Sequence, residues 1–351
     1  MPSLDNVLVL QSELNALVVT LKELTVSQER SGRQHNHSDE LRISVIIALV
    51  RTHLHCLKDC IGSLTTQTLP RSEYEVILVN AEGDSTIDST VNAIKENMPK
   101  DFNFHYFRIQ KGGRAAARNY GMKQSAGNLL IFYASDFIAT HRLLEHHLTL
   151  HEQNSGSEVV GIGPAIFPPK LDMTPFMRWL EESGALFGTR LLPNSAGIPP
   201  EFFYGANTSI KKVFLHSVGP FDEVFPYDSV DDFEMGRRLL ERGMKNVFLP
   251  GALAYHDHQI SMEERRKAMR KAGESTAVWD SKNPRFVTRD RWHRWYRWRG
   301  CISSMVRLLT IWYRAKSLLF GREQDLWKYF SWSMTQAWVD GYRRTEKHQR
   351  T

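Results

Sequence analysis

The sequence predicts a doubly wound α/β fold, and three observations carry that expectation. Residues Ile43 to Val50 form a nearly continuous apolar run, as a strand does when both faces of a parallel sheet are covered. Strand-like and helix-like segments then alternate four times before residue 151. At 351 residues the chain can bury a full core, as one large α/β domain with appendages or as two modest domains.

The elements follow in order. Val7, Leu10, Leu14, Leu17, Leu21 and Leu24 alternate spacings of three and four, the a/d seam of a short coiled coil, so residues 1–30 read as an amphipathic helix. Such a helix needs a partner, and the spacing leaves two open: the same helix of a second chain, giving a homodimer through 7–24, or a groove on the chain's own C-terminal helices. Residues 31–40 are polar and read as a linker. A domain over 41–280 then begins with the strand 43–50 and continues as helix 56–66, strand 74–79, helix 86–96, strand 104–109, helix 114–124, strand 129–134 and helix 141–151. Ligands of such sheets bind beyond the carboxyl ends of the strands, which directs attention to 50–53, 80–84, 111–114 and 134–136. The second half, 151–280, is less regular. It holds a Pro-rich stretch at 163–175, a helix at 176–187, a loop at 192–200, a helix from Asp231 closed by Gly243, and short strands at 247–249 and 252–258. The last third is helical, over 262–278, 302–319 and 324–339.

Composition narrows the class. With 42% hydrophobic and 24% charged residues the chain is not disordered. The surplus of 45 Lys and Arg over 39 Asp and Glu is small but concentrated, since residues 285–299 interleave Arg with Trp. No nucleic-acid module accompanies this segment, so the basic extension 281–351 suits an anionic membrane surface better. Three cysteines give no disulfide framework, and Cys56 and Cys60, one helical turn apart, read as half-buried helix thiols. No segment reaches the ~20 apolar residues of a membrane span. The expected location is cytoplasmic, with peripheral association at the membrane's cytoplasmic face.

Ser63 to Gln67, Tyr74 to Val79, Ala116 to Gly121, Phe221 to Glu223, Asp231 to Leu239 and Pro250 to His256 form an ordered set. Over roughly residues 43–273 this set resembles the family 2 glycosyltransferases, inverting enzymes of the GT-A fold. The resemblance implies a Rossmann-like, mostly parallel sheet with a nucleotide-sugar half at 41–150 and an acceptor half at 151–280. It further implies transfer of a hexose-type residue from a nucleoside diphosphate sugar, UDP-linked by default, to a hydroxyl of a saccharide or lipid-linked acceptor.

That chemistry needs a carboxylate to take the acceptor's proton, positive charge for the departing diphosphate, and a nucleotide cradle at the strand ends. The resemblance places the base at Asp232, with Asp231 in the preceding acidic position. Asp228, Asp231, Asp232 and Glu234 crowd like charges, which favours proton acceptance, and the same residues equally suit a helix N-terminus. By resemblance a metal, Mn²⁺ or Mg²⁺, falls to Asp136 and His256, although Ala134-Ser135-Asp136 replaces the usual Asp-x-Asp. His258 is open as a further ligand, a support or a surface residue. Donor contacts are expected from Asn80 and Glu82, which stand where the family shows paired aspartates, from Ser135 and Asp136, and from Arg118 and Asn119, with Arg118 equally readable as a buried support of the loop. Lys111 and Arg114 flank two glycines before a helix, a setting for phosphate. Asn207 and Glu234 belong to the acceptor side. Two rival readings stand beside this one: a GT-A-fold protein with lost or reduced catalysis that acts as a binding partner, suggested by the missing aspartates, and a nucleotidyltransferase, in which the acceptor-half motifs have no role.

Overall fold

The computed structural model describes residues 41–350 except 111, 187, 189–202, 226, 228–229 and 284–302. The seam at 7–24, the linker, the loop 192–200, Lys111, Asp228 and the Arg/Trp segment 285–299 lie outside the described residues.

Four strands, β1 (Ile43–Leu49), β2 (Tyr74–Asn80), β3 (Phe104–Arg108) and β4 (Leu129–Ala134), pair in parallel in the order β3-β2-β1-β4. Side chains alternate along β1. Ile43, Val45, Ile47 and Leu49 pack with helices α1 (Leu57–Thr65), α2 (Thr86–Glu96) and α4 (Leu143–Gln153), whereas Ile46 packs on the opposite face with α3 (Gly113–Gln124). Both faces are therefore covered, which is why the strand is apolar throughout. The exception is Ser44. Its buried hydroxyl donates to Glu75 Oε1 at 2.6 Å and accepts from the Gly127 amide at 2.9 Å, fixing the turn that enters β4.

The second half extends this sheet. Beside β4 lies β8 (Asn207–Lys211), antiparallel to it, then β6 (Val159–Ile162), antiparallel to β8, and β9 (Lys245–Phe248), parallel to β6. The expected mostly parallel sheet is present, with its two antiparallel pairings confined to β8. A second sheet of β5 (Phe137–Ala139), β7 (Ala165–Ile166) and β10 (Ala254–His256) runs in the order β5-β10-β7. Helices α6 (Lys212–Val218) and α7 (Asp231–Glu241) supply Phe214, Leu215, Met235 and Leu239 to the α3 face of the large sheet.

Helix α5 (Pro175–Glu182) starts on a Thr174 cap and stops short of the expected residue 187, where Ser183 and Gly184 turn the chain. Helices α8 (Met262–Lys282), α9 (Ser303–Phe320) and α10 (Glu323–Arg350) form the C-terminal region. Helix α8 opens on a reciprocal Ser261–Glu264 capping box and crosses α10 closely: a Cβ at Gly273 would lie 2.0 Å from the Trp338 carbonyl oxygen. Phe330 and Met334 of α10 pack on Phe176, Trp179 and Leu180 of α5, and Trp279 of α8 meets Phe233 of α7 edge-on. The C-terminal helices are thus packed against the second half of the domain, on α5 and α7. Among the described residues, no helix is long and apolar enough to cross a membrane.

Candidate active site

Strand β4 ends where the Ala134 amide donates to Ala206 O at 2.9 Å, and the chain turns through Ser135 and Asp136 into β5. The β5–β10 register sets His256 opposite Phe137, and the Asp257 amide donates to Asp136 O at 3.0 Å. Sheet pairing therefore brings together two side chains 120 residues apart, with His256 Nε2 3.0 Å from Asp136 Oδ2. A third group arrives from the short turn Arg51–His53 after β1. His53 Nδ1 lies 3.3 Å from the same carboxylate oxygen and 3.1 Å from Ser135 Oγ. Asp136, His256 and Ser135 are all buried.

Charge at this site is strongly coupled. Burial raises the Asp136 carboxyl, but the hydrogen bond from His256 and the charges of His256, His53 and Arg114 outweigh it and hold the group far below the usual range. Burial lowers His53 to about 4, with Asp136 opposing and Arg114 adding to the shift, so the imidazole is neutral at pH 7. A buried carboxylate beside a buried imidazole can serve as two ligands of a divalent cation such as Mn²⁺; here they hydrogen-bond to each other at 3.0 Å.

The second cluster sits at the same end of the sheet, because Gly205 immediately precedes the residue bonded to Ala134. The Gly205 amide donates to Asp232 Oδ2 at 3.0 Å. Arg118 Nη1 lies 2.7 Å from Asp232 Oδ1 and 2.5 Å from Asp231 Oδ2, and its Nη2 donates to Gly205 O at 3.2 Å. A Cβ at Gly205 would fall 2.3 Å from the guanidinium, so only glycine permits this approach. The two neighbouring aspartates differ in exposure: the Asp231 side chain is 3% exposed and that of Asp232 27%. The acidic crowd expected here is in fact bridged. Arg118 stands between the aspartates, and Glu234 pairs with Arg238 at 2.6 Å.

Residues 44–218 match the sequence model of glycosyl transferase family 2. The chain carries a family 2 glycosyltransferase domain. It is 32% identical over 116 residues to an uncharacterised glycosyltransferase of Rickettsia bellii, covering 33% of this chain and 16% of that protein. It is 28% identical over 118 residues to a poly(ribitol-phosphate) β-glucosyltransferase of Bacillus spizizenii, covering 33% of this chain and 18% of that protein. The chain thus spans less than a fifth of the length of either relative. A mannosyltransferase from Pyrobaculum calidifontis, solved with GDP-Man and Mn²⁺, shares the fold with a TM-score of 0.60 at 14% identity, over 94% of this chain and 95% of that one.

Within this family 2 domain, several residues expected at the donor or acceptor hold loops. Asn80 is fully buried; its Nδ2 donates to Asp84 O at 3.0 Å and to the Tyr106 hydroxyl at 3.1 Å, and its Oδ1 accepts from the Glu82 amide at 3.0 Å. It shapes the turn that leaves Glu82 exposed. Asn119 clamps the segment before α7, exchanging hydrogen bonds with the Phe221 backbone at 2.8 and 2.9 Å and donating to Glu223 Oε1 at 2.7 Å. Arg238, the partner of Glu234, donates to Val218 O and Pro220 O at 2.7 and 2.8 Å, so that pair fixes the same segment.

Asn207 is also internal. It donates to Pro164 O and Ala252 O at 3.2 and 2.8 Å and lies 3.0 Å from His147 Nε2; His147 and His151 both contact Ser209 Oγ, at 2.8 and 2.9 Å. Burial lowers His147 to about 4 and, with the His147 and Lys211 charges, His151 to about 3. The unfolded chain takes up these protons near pH 6.5 while the folded chain refuses them, so their stabilisation is complete above pH 6.5 and declines as pH falls toward 4. Each histidine is expected to cost roughly 2 kcal/mol at pH 5. Melting curves should shift down between pH 7 and pH 5, and an unchanged midpoint over that range contradicts the assignment.

His53 is the residue that sequence reasoning missed. Its position in the turn directly after the first strand was a signal, as was the matching His-x-His spacing of 53–55 and 256–258.

Proposed function

We propose that this protein transfers a sugar from a nucleoside diphosphate sugar to a hydroxyl acceptor with inversion, using Asp232 as general base. The observation that carries this reading is the Asp232 carboxylate. It is fixed by the Gly205 amide and Arg118, remains partly open to solvent, and lies at the strand end that also carries Asp136. Each of its oxygens keeps a lone pair beyond these contacts. As the acceptor oxygen bonds to the anomeric carbon, Asp232 takes the hydroxyl proton, and the bond from that carbon to the diphosphate oxygen breaks on the opposite face. Asp231, buried against Arg118, positions this group and does not touch substrate.

Asp136 and His256 would hold Mn²⁺ or Mg²⁺, which when bound neutralises charge on the departing diphosphate. Neutral His53 and Ser135 orient Asp136, and Arg114, with Lys111 beside it in sequence, adds positive charge for the same group. Glu82, exposed in the turn after β2, would meet the ribose or base, with uridine the default. The poly(ribitol-phosphate) β-glucosyltransferase likeness supports a polyol or saccharide hydroxyl as acceptor. Calorimetry with UDP-sugars tests the metal assignment: Mn²⁺ should tighten donor binding, and Asp136→Asn should lower the Mn²⁺ affinity by at least about tenfold. Donor binding indifferent to Mn²⁺ and to this substitution contradicts it.

Helix α9 supports peripheral membrane association. Leu308, Ile311, Trp312, Leu318 and Leu319 are exposed along it, from 59% to 77%, with Arg307, Arg314 and Lys316 on the same helix. An apolar stripe flanked by cations suits an anionic bilayer surface. The chain should float with anionic vesicles, and Ile311→Glu with Leu318→Glu should return it to the pellet fraction. A native chain that never floats removes this reading.

A further inference from the structure

Two His-x-His pairs face each other at the mouth of the site, His53 and His55 from the turn after β1, and His256 and His258 from the end of β10. One member of each pair, His53 and His256, goes to Asp136. His258 stands beside both members of the first pair, its ring centroid 5.4 Å from that of His53 and 5.5 Å from that of His55, and Cys56 joins it: ligand atoms of His55, Cys56 and His258 all lie within 4.8 Å of one another. The Cys56 thiol is buried and donates to Asp257 O at 2.8 Å. His258 Nδ1 is buried and meets no hydrogen-bond partner among the described residues. With a thiol and a second imidazole close by, an imidazole that keeps a buried nitrogen without a protein partner leaves the cluster open to a ligand.

We propose that His55, Cys56 and His258 form a second cation site, selective for a thiophilic divalent ion of the zinc type, next to the Asp136–His256 pair. Donor chemistry separates the two sites. A thiolate with two imidazoles selects zinc, whereas carboxylate with imidazole and phosphate oxygens accepts Mn²⁺ or Mg²⁺. Geometry agrees: tetrahedral bonds of 2.0–2.3 Å put ligand atoms roughly 3.3–3.8 Å apart, so the three groups need close by only about 1 Å. His55 is exposed and free to make that movement. On binding, the Cys56 S–H bond breaks, its proton leaves to solvent, and the sulfur–metal bond replaces the hydrogen bond to Asp257 O. Both histidines bind as neutral rings, and water takes the fourth position. This site does not depend on the transferase reading, since its test reads metal ligation and not turnover.

The test is a titration of the full chain with Co²⁺, followed by the thiolate-to-cobalt charge-transfer absorption. The band should saturate near one equivalent and disappear on adding Zn²⁺. Cys56→Ser should abolish it, His258→Gln should weaken Co²⁺ binding by at least about tenfold, and Asp136→Asn and Cys301→Ser should leave it in place. Circular dichroism checks that each variant is folded; if Cys56→Ser is not, the partly exposed His258→Gln carries the test. No thiolate band in the native chain, a band that survives Cys56→Ser, or full affinity in His258→Gln overturns the site.

Discussion

Asp232→Asn is expected to lower turnover by at least about 100-fold, the lower end of what a positioned general base contributes. The amide is nearly isosteric and keeps a carbonyl oxygen for the Gly205 amide, so the α7 N-terminus and the Gly205 loop should keep their form. What it loses is the capacity to take the acceptor's proton. Donor affinity, set at the Asp136 side of the site, should stay within about threefold, so the defect falls on kcat and leaves nucleotide binding intact. Equal losses in donor affinity and rate would mean that Asp232 organises the donor site instead.

Arg118→Ala should destabilise the fold by about 3–5 kcal/mol, the usual cost of leaving a buried charge without its partner. Arg118 is 4% exposed and serves Asp231, Asp232, Gly205 O and, at 5.3 Å, the face of Phe221. Its removal strands the buried Asp231 carboxylate and frees Asp232 from one of its two anchors. Lysine keeps the charge but cannot reach two carboxylates and a carbonyl with one fork, so Arg118→Lys should recover only part of the loss. Denaturant midpoints measure this directly. Adding Asp231→Ala to Arg118→Ala should restore stability toward the native value, because the stranded charge is then gone; purely additive losses contradict the pairing.

The parallel core was legible because its physics is local. The run from Ile43 and the periodic helices at 86–96 and 114–124 need no distant partner to be recognised, and they match β1, α2 and α3 nearly to the residue. Strands β5, β6, β7 and β8 were not legible. Two are three residues or fewer, and β8 reads Asn207-Thr208-Ser209, a polar sequence whose Asn207 and Ser209 side chains find partners in His147, His151, Pro164 O and Ala252 O. The site divides in the same way. Asp232, Asp136 and His256, the proposed base and metal ligands, stand in ordered motifs, whereas the contacts of Asn80, Asn119 and Asn207 depend on which loop each amide faces, and spacing does not encode that. Cys56 was passed over although His55 adjoins it in sequence, because the third member of the cluster, His258, is brought across by the fold from 202 positions away.

Nucleoside diphosphate release from a panel of nucleotide sugars with polyol and saccharide acceptors, with Mn²⁺ and with chelator, separates a transferase that uses Asp232 as base from a binding protein when the native chain is compared with Asp232→Asn. The native chain should show acceptor-dependent, Mn²⁺-dependent release, and the variant a loss of at least about 100-fold. Release at the same rate by both chains, or donor binding with no release from any sugar, would contradict a transferase with that base.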